Sequence, residues 1–136
     1  MARTNISTGG ALEAKYGYSR AVRIGNVIKV SGTCATDGEG NTVGVGDITQ
    51  QVARCFDIIS SALEGAGASL GDIVINRIYL TNIEDAAAAG EAHGIIFRDV
   101  QPACTMMAIG ALVRDDFLVE IECEAVIEDD AGATTH

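Results

Sequence analysis

Residues 118–127, Leu-Val-Glu-Ile-Glu-Cys-Glu-Ala-Val-Ile, constrain this chain more than any other stretch. Val119, Ile121, Cys123 and Ala125 alternate with Glu120, Glu122 and Glu124. That period of two belongs to a strand with one covered face and one open face. Residues 102–109 form a strand-like run just before it, opened by Pro102, whose missing N–H and fixed φ are tolerated at the start of a strand. Solvation alone accounts for Glu122 and Glu124, since a row of acids on a wet sheet face costs little. Glu120 stays open as a candidate for chemistry.

The other elements agree with a sheet covered on one side. Residues 18–24 and 27–32 are strand-like runs separated by Gly25-Asn26, a pair suited to a tight hairpin turn. Residues 33–46 hold four glycines with Asp37 and Asn41, and read as a loop with a short second hairpin near Glu39-Gly40-Asn41. Their glycines do not open directly into a helix, as a phosphate-cradling loop would require. Asp47 caps a helix whose apolar face is Ile48, Val52, Phe56, Ile59 and Leu63, ended by Gly65 or Gly67. Residues 72–80 form a β-branched strand, and Thr81-Asn82-Ile83-Glu84 reads as a capping box opening a second helix with Ile83, Ala87, Gly90, Gly94 and Phe97 inward. The order β-β-α-β-α-β-β gives an α+β two-layer domain, a mixed sheet with both helices on one face. The expected organisation is one domain over residues 1–136, with 1–15 as an extended arm and 128–136 as a flexible tail.

Charge and composition narrow the function. The formal net charge is −10 without a basic cluster, which argues against nucleic acid as a partner. No apolar run approaches the roughly 18 residues of a membrane span, and the first residues lack the apolar core of a signal peptide, so a cytoplasmic location is expected. Cys34, Cys55, Cys104 and Cys123 form no close pair and read as reduced thiols, Cys55 and Cys123 as small buried residues. With His93 and His136 the only histidines, no metal site is expected, nor any cofactor. Forty-eight per cent hydrophobic residues without Trp suit tight packing of helix on sheet, and burial completed by oligomerisation.

The runs Gly17-Tyr18-Ser19-Arg20-Ala21-Val22, Val30-Ser31-Gly32-Thr33, Gly67-Ala68-Ser69-Leu70, Pro102-Ala103 and Leu118-Val119-Glu120-Ile121-Glu122, with the Gln50-containing helix between them, resemble the Rid (YjgF, reactive intermediate deaminase) family. The likeness runs from about residue 16 to residue 127. It implies a chorismate-mutase-like fold, a homotrimer with the open sheet faces packed into a central barrel, and a small-molecule ligand in each cleft between subunits. In the deaminating branch an arginine directly after Pro-Ala binds the substrate carboxylate, and the first acid of the Val-Glu-Ile-Glu run positions the water that attacks an imine. The chemistry is coherent: a carboxylate suits a bidentate guanidinium, and C=N hydrolysis needs an oriented water with a proton acceptor. The resemblance thus assigns Glu120 as the water-positioning acid, with Tyr18, Ser31, Gly32, Thr105 and Met106 lining the cleft.

The chain departs from that pattern at one place. Cys104 stands where the arginine belongs, so standard 2-aminoacrylate-type activity does not carry over with the resemblance. Cys104 is either a small residue tolerated once the arginine is gone, or a catalytic nucleophile or ligand contact near Glu120. A nucleophilic thiol needs a cation or a helix N-terminus to lower its pKa, and a carboxylate does the opposite. Arg98 and Arg114 lie in flanking connections, able to reach the cleft only by an unusual path; Arg77 is either an alternative anchor or half of a surface ion pair. His93 is either a proton shuttle or a packing or solvated residue of the second helix. Three functions are therefore open: an imine or enamine hydrolase or tautomerase using Glu120, a non-catalytic small-metabolite binder, and a ribonuclease or translation inhibitor, which the acidic charge opposes.

Overall fold

The computed structural model describes residues 2–128. Six strands form one mixed sheet in the order β1-β2-β3-β6-β4-β5. They are β1 (Arg3–Ile6), β2 (Ala21–Ile24), β3 (Val27–Thr33), β4 (Ile73–Leu80), β5 (Ala103–Ala108) and β6 (Val119–Val126). Only β4 and β5 are parallel, and their connection carries a helix, as a parallel crossover requires. The β2–β3 hairpin turns at Gly25-Asn26 as expected, with Gly25 at a φ of 59°.

Helix α2 (Ile48–Gly65) begins where Asp47 accepts the Gln50 N–H at 3.0 Å. Its Val52, Phe56, Ile59 and Leu63 are buried against Ile28, Val30, Ile78, Leu80, Val119 and Ile121 of the sheet. Helix α3 (Ala86–Phe97) packs beside it, with the Phe97 ring 4.8 Å from that of Phe56. The alternation of β6 holds residue by residue: Val119, Ile121, Cys123 and Ala125 are buried, and the three glutamates are only half-buried on the open face.

Four sequence expectations need correction. The first fifteen residues hold two elements: β1 pairs antiparallel with β2, and α1 (Ala11–Tyr16) follows. A strand of four residues is too short to show a period, and its partner lies far along the chain. Thr81 does not cap the second helix; Asn82 accepts the Glu84 N–H at 3.0 Å, a single 3-10 turn spans 83–85, and α3 starts at Ala86. Asn reaches the N–H two residues on, forming a local turn that competes with a box at Thr81. The inward face of α3 is Ala89, Ala92 and Phe97, while Ile83 is 59% exposed, because that 3-10 turn breaks the helical phase. Gln51, absent from the apolar face read from the sequence, is completely buried; its amide donates to Gly44 O and Asp116 O and accepts the Leu118 N–H, tying the helix to both flanking loops. The second hairpin exists as one antiparallel bridge, Thr36 to Thr42. Residues 129–136, which include most of the expected tail and His136, lie outside the described residues.

Candidate functional site

Three local features build a cavity at one end of the sheet. At the end of α1, Gly17 adopts a left-handed φ of 74°, open to glycine without steric cost, and the following Tyr18 N–H bonds to Glu13 O at 2.9 Å. Tyr18 is thereby held at the mouth. In β3 the register against β6 slips between Val30 and Thr33, so Ser31 and Gly32 form an irregularity opposite Glu120's end of β6. The loop after β3 then brings Cys34 against the same wall.

The cavity is about 630 Å³, of a size that suits a small metabolite. Tyr18, Gly32, Cys34 and Glu120 line it, together with Arg20, Arg54 and Arg114. Glu120 is half-buried, and its Oε1 lies 3.6 Å from Cys34 Sγ, whose thiol donates to it. Burial first, and then the Glu120 charge, push the Cys34 pKa far above its ordinary value, so this thiol stays protonated and acts as a donor. Gly32 packs directly behind the carboxylate: a Cβ at that position would sit 2.9 Å from Glu120 Cδ. Glu120 needs a glycine there.

Of the residues assigned from sequence, the structure brings together Glu120, Tyr18 and Gly32. Ser31 stands behind the wall, its hydroxyl donating to Ser19 O at 2.7 Å. Cys104, Thr105 and Met106 lie elsewhere in the chain, on the edge strand β5. Register places Cys104 level with Asn76, on the helix side, whereas Glu120 is level with Tyr79 on the open side. Within one chain Cys104 and Glu120 therefore occupy opposite faces. Cys104 is exposed, and what burial it has pushes its thiol pKa up.

The remaining groups sort cleanly. Glu124 pairs with Lys29 and Arg77, each at 2.6 Å, and these hydrogen bonds hold its carboxyl below the ordinary range. Arg77 is thus half of an ion pair on the open face, and Tyr79 donates to Glu122 beside it. His93 packs in the helix layer: its ring stacks on Phe97 at 4.7 Å, and its Nε2 lies 2.9 Å from Asn76 Nδ2. Burial lowers the His93 pKa, in keeping with a neutral ring. Among the described residues no cluster of three or more His, Cys, Asp or Glu could hold a metal ion, and no helix is long and apolar enough to cross a membrane.

Sequence reasoning missed Cys34 and Arg20, and misplaced Arg114. The 113–117 segment folds back over the loop after β3, where Arg114 Nη1 donates to Thr42 Oγ1 at 3.3 Å and its guanidinium lies 5.0 Å from the Phe117 ring. This return path, invisible in local spacing, puts Arg114 on the cavity wall. Arg20 carried a readable signal, since it stands in the same Gly17-Tyr18-Ser19-Arg20 run as Tyr18.

Comparison with known proteins identifies the family. A protein-family model described as Endoribonuclease L-PSP matches residues 8–127. The chain belongs to the Rid/YjgF family. This Rid/YjgF chain is 36% identical over 126 residues to a RutC family protein of Pyrococcus abyssi, covering 93% of this chain and 97% of that one. It is 33% identical over 104 residues to the 3-aminoacrylate deaminase RutC of Acinetobacter baylyi, covering 76% and 82% of the two chains. Its fold matches that of a solved YjgF/YER057c/UK114 family member of Mycobacterium tuberculosis with a TM-score of 0.84 at 38% identity, over 93% of this chain and all of that one.

Proposed function

We propose that this Rid/YjgF chain hydrolyses an imine, or an enamine through its imine tautomer, with Glu120 as the group that holds and deprotonates the attacking water. The observation that carries this reading is the seating of Glu120: a half-buried carboxylate on a small-molecule cavity, engaged by the Cys34 thiol through Oε1. Its other oxygen makes no hydrogen bond among the described residues and is available to a water. The water oxygen adds to the C=N carbon while its proton passes to Glu120; the carboxyl then returns that proton to the nitrogen of the tetrahedral adduct. Glu120 then takes the hydroxyl proton of the adduct and passes it to the nitrogen as the C–N bond breaks, forming C=O and releasing ammonia, so one imine and one water give one carbonyl compound and one ammonia. The deaminase name borne by the Acinetobacter relative points the same way.

Assembly completes the reading. Strand β5 leaves one edge unpaired in a single chain, and the sheet leaves one face uncovered by helices. A homotrimer that packs those faces into a central barrel brings β5 of one subunit, with Cys104, Thr105 and Met106, toward a neighbour's Glu120 cavity. In that arrangement Cys104 is a wall residue of the cleft: its thiol pKa is raised, opposite to what a nucleophile requires. The description of the matching family model as an endoribonuclease favours RNA, but a formal charge of −10 disfavours binding a polyanion.

Imines and enamines generated in place by an amino-acid oxidase provide the test. Wild type is expected to accelerate their decay above the spontaneous rate. Glu120→Ala is expected to lose about 10²- to 10⁴-fold of that acceleration, and Cys104→Ala to retain most of it. Decay at the spontaneous rate with wild type and both variants alike would leave a non-catalytic binder.

A further inference from the structure

We infer that Arg20 anchors the carboxylate of a small anionic ligand in the Glu120 cavity. Its backbone is fixed on both sides: the N–H donates to Ile6 O at 2.8 Å, and the carbonyl accepts the Ser31 N–H at 2.9 Å. The guanidinium lies 5.7 Å from the Tyr18 ring centre at the mouth of the cavity. Its Nε is buried and has no hydrogen-bond partner.

The other cavity arginines are engaged. Arg54 donates from Nε to Thr36 O at 2.7 Å, and Arg114 donates to Thr42 while stacking on Phe117. Among the described residues, Arg20 alone of these three makes no side-chain hydrogen bond, and no acid lies within ion-pair distance of it. Nor is a nearby acid idle: Glu13 accepts from Ser7 and Thr8. The buried Nε is sealed from the cavity, so the two terminal nitrogens, which make no hydrogen bond among the described residues, are the donors that a ligand in the cavity reaches. The fork of the guanidinium matches the two oxygens of a carboxylate. Cys104 supplies no cation to this cavity, so Arg20, in the connection just before β2, gives the ligand its charge preference.

The inference rests on the hydrolase reading only for the reaction, since an anchored carboxylate next to Glu120 describes a 2-imino acid; its binding test needs no turnover. Pyruvate, pyruvamide and inorganic phosphate serve as probes, titrated by calorimetry into the full chain. Wild type is expected to bind pyruvate more tightly than pyruvamide or phosphate. Arg20→Gln is expected to weaken pyruvate by about tenfold to a hundredfold with pyruvamide unchanged. Arg20→Lys, which keeps the charge without the fork, should fall between, and Arg98→Gln, at the C-terminal end of α3 and outside the cavity lining, should match wild type. Equal affinity for pyruvate and pyruvamide, no binding of pyruvate, tighter binding of phosphate, or an Arg20→Gln protein that binds pyruvate like wild type would each overturn the inference. Arg20-dependent binding with no catalysed imine decay would remove the hydrolase reading alone; catalysed decay dependent on Glu120 but indifferent to Arg20 would remove the anchor alone.

Discussion

Glu120 and Gly32 face each other so closely that the glycine has no room for a methyl group, with Cδ only 2.9 Å from where a Cβ would stand. The nearest obstacle is the end of a flexible side chain, so alanine here turns the carboxylate away without breaking the sheet. Gly32→Ala should therefore melt within a few degrees of wild type, yet lose catalysed imine decay to the same order as Glu120→Ala. Normal activity in a folded Gly32→Ala protein, checked by circular dichroism and the decay assay, would show that the seat of Glu120 does not matter. Much of this scale was legible in the sequence. Glu120 stood out through the alternation of its strand together with a family motif, and Tyr18 and Gly32 through motifs of the same family. Cys34 was not legible, because its contact with Glu120 bridges 86 positions and has no local pattern.

At the scale of elements, α1 is latched by Glu13. Its buried carboxylate accepts from Ser7 Oγ, Thr8 N and Thr8 Oγ1 at 2.9, 3.2 and 2.6 Å. Burial alone would raise its pKa; the hydrogen bonds from Thr8 and Ser7, with the Arg20 charge, more than offset this and leave it below the ordinary 4.5. A lowered folded-state pKa stabilises the fold above the unfolded value, and that contribution disappears as pH falls through the folded value. Glu13→Ala should cost about 1–3 kcal/mol at pH 7, and the gap from wild type should narrow as the pH falls below the ordinary 4.5. Thermal melts across that range check it; a gap constant with pH would mean that the charge does not hold the arm. The long elements were readable because their periods repeat: 18 residues in α2, and eight in each of β4 and β6. Strand β1 and helix α1, of four and six residues, were not, since β1 depends on pairing with residues 21–24 and the six residues of α1 are too few to repeat a helical period.

At the scale of the whole molecule, one sheet face is covered and the other carries two neighbouring bonded groups, Lys29–Glu124–Arg77 and Tyr79–Glu122. Exposed Ile24, Val27 and Val126 lie at the β2–β3–β6 end of that sheet. Polar groups bordered by apolar residues fit a face covered by other copies of the chain, and the edge strand β5 fits the rim of such a contact. Light scattering should give three times 14.1 kDa, and a single-chain mass would remove the shared cleft. The central claim is that Glu120 drives hydrolysis, and ammonia release tests it most directly. With an imine formed in place and ammonia followed by a coupled dehydrogenase, wild type should release it faster than the spontaneous reaction. Folded Glu120→Gln should fall to the spontaneous rate; release by Glu120→Gln as fast as by wild type would contradict the account.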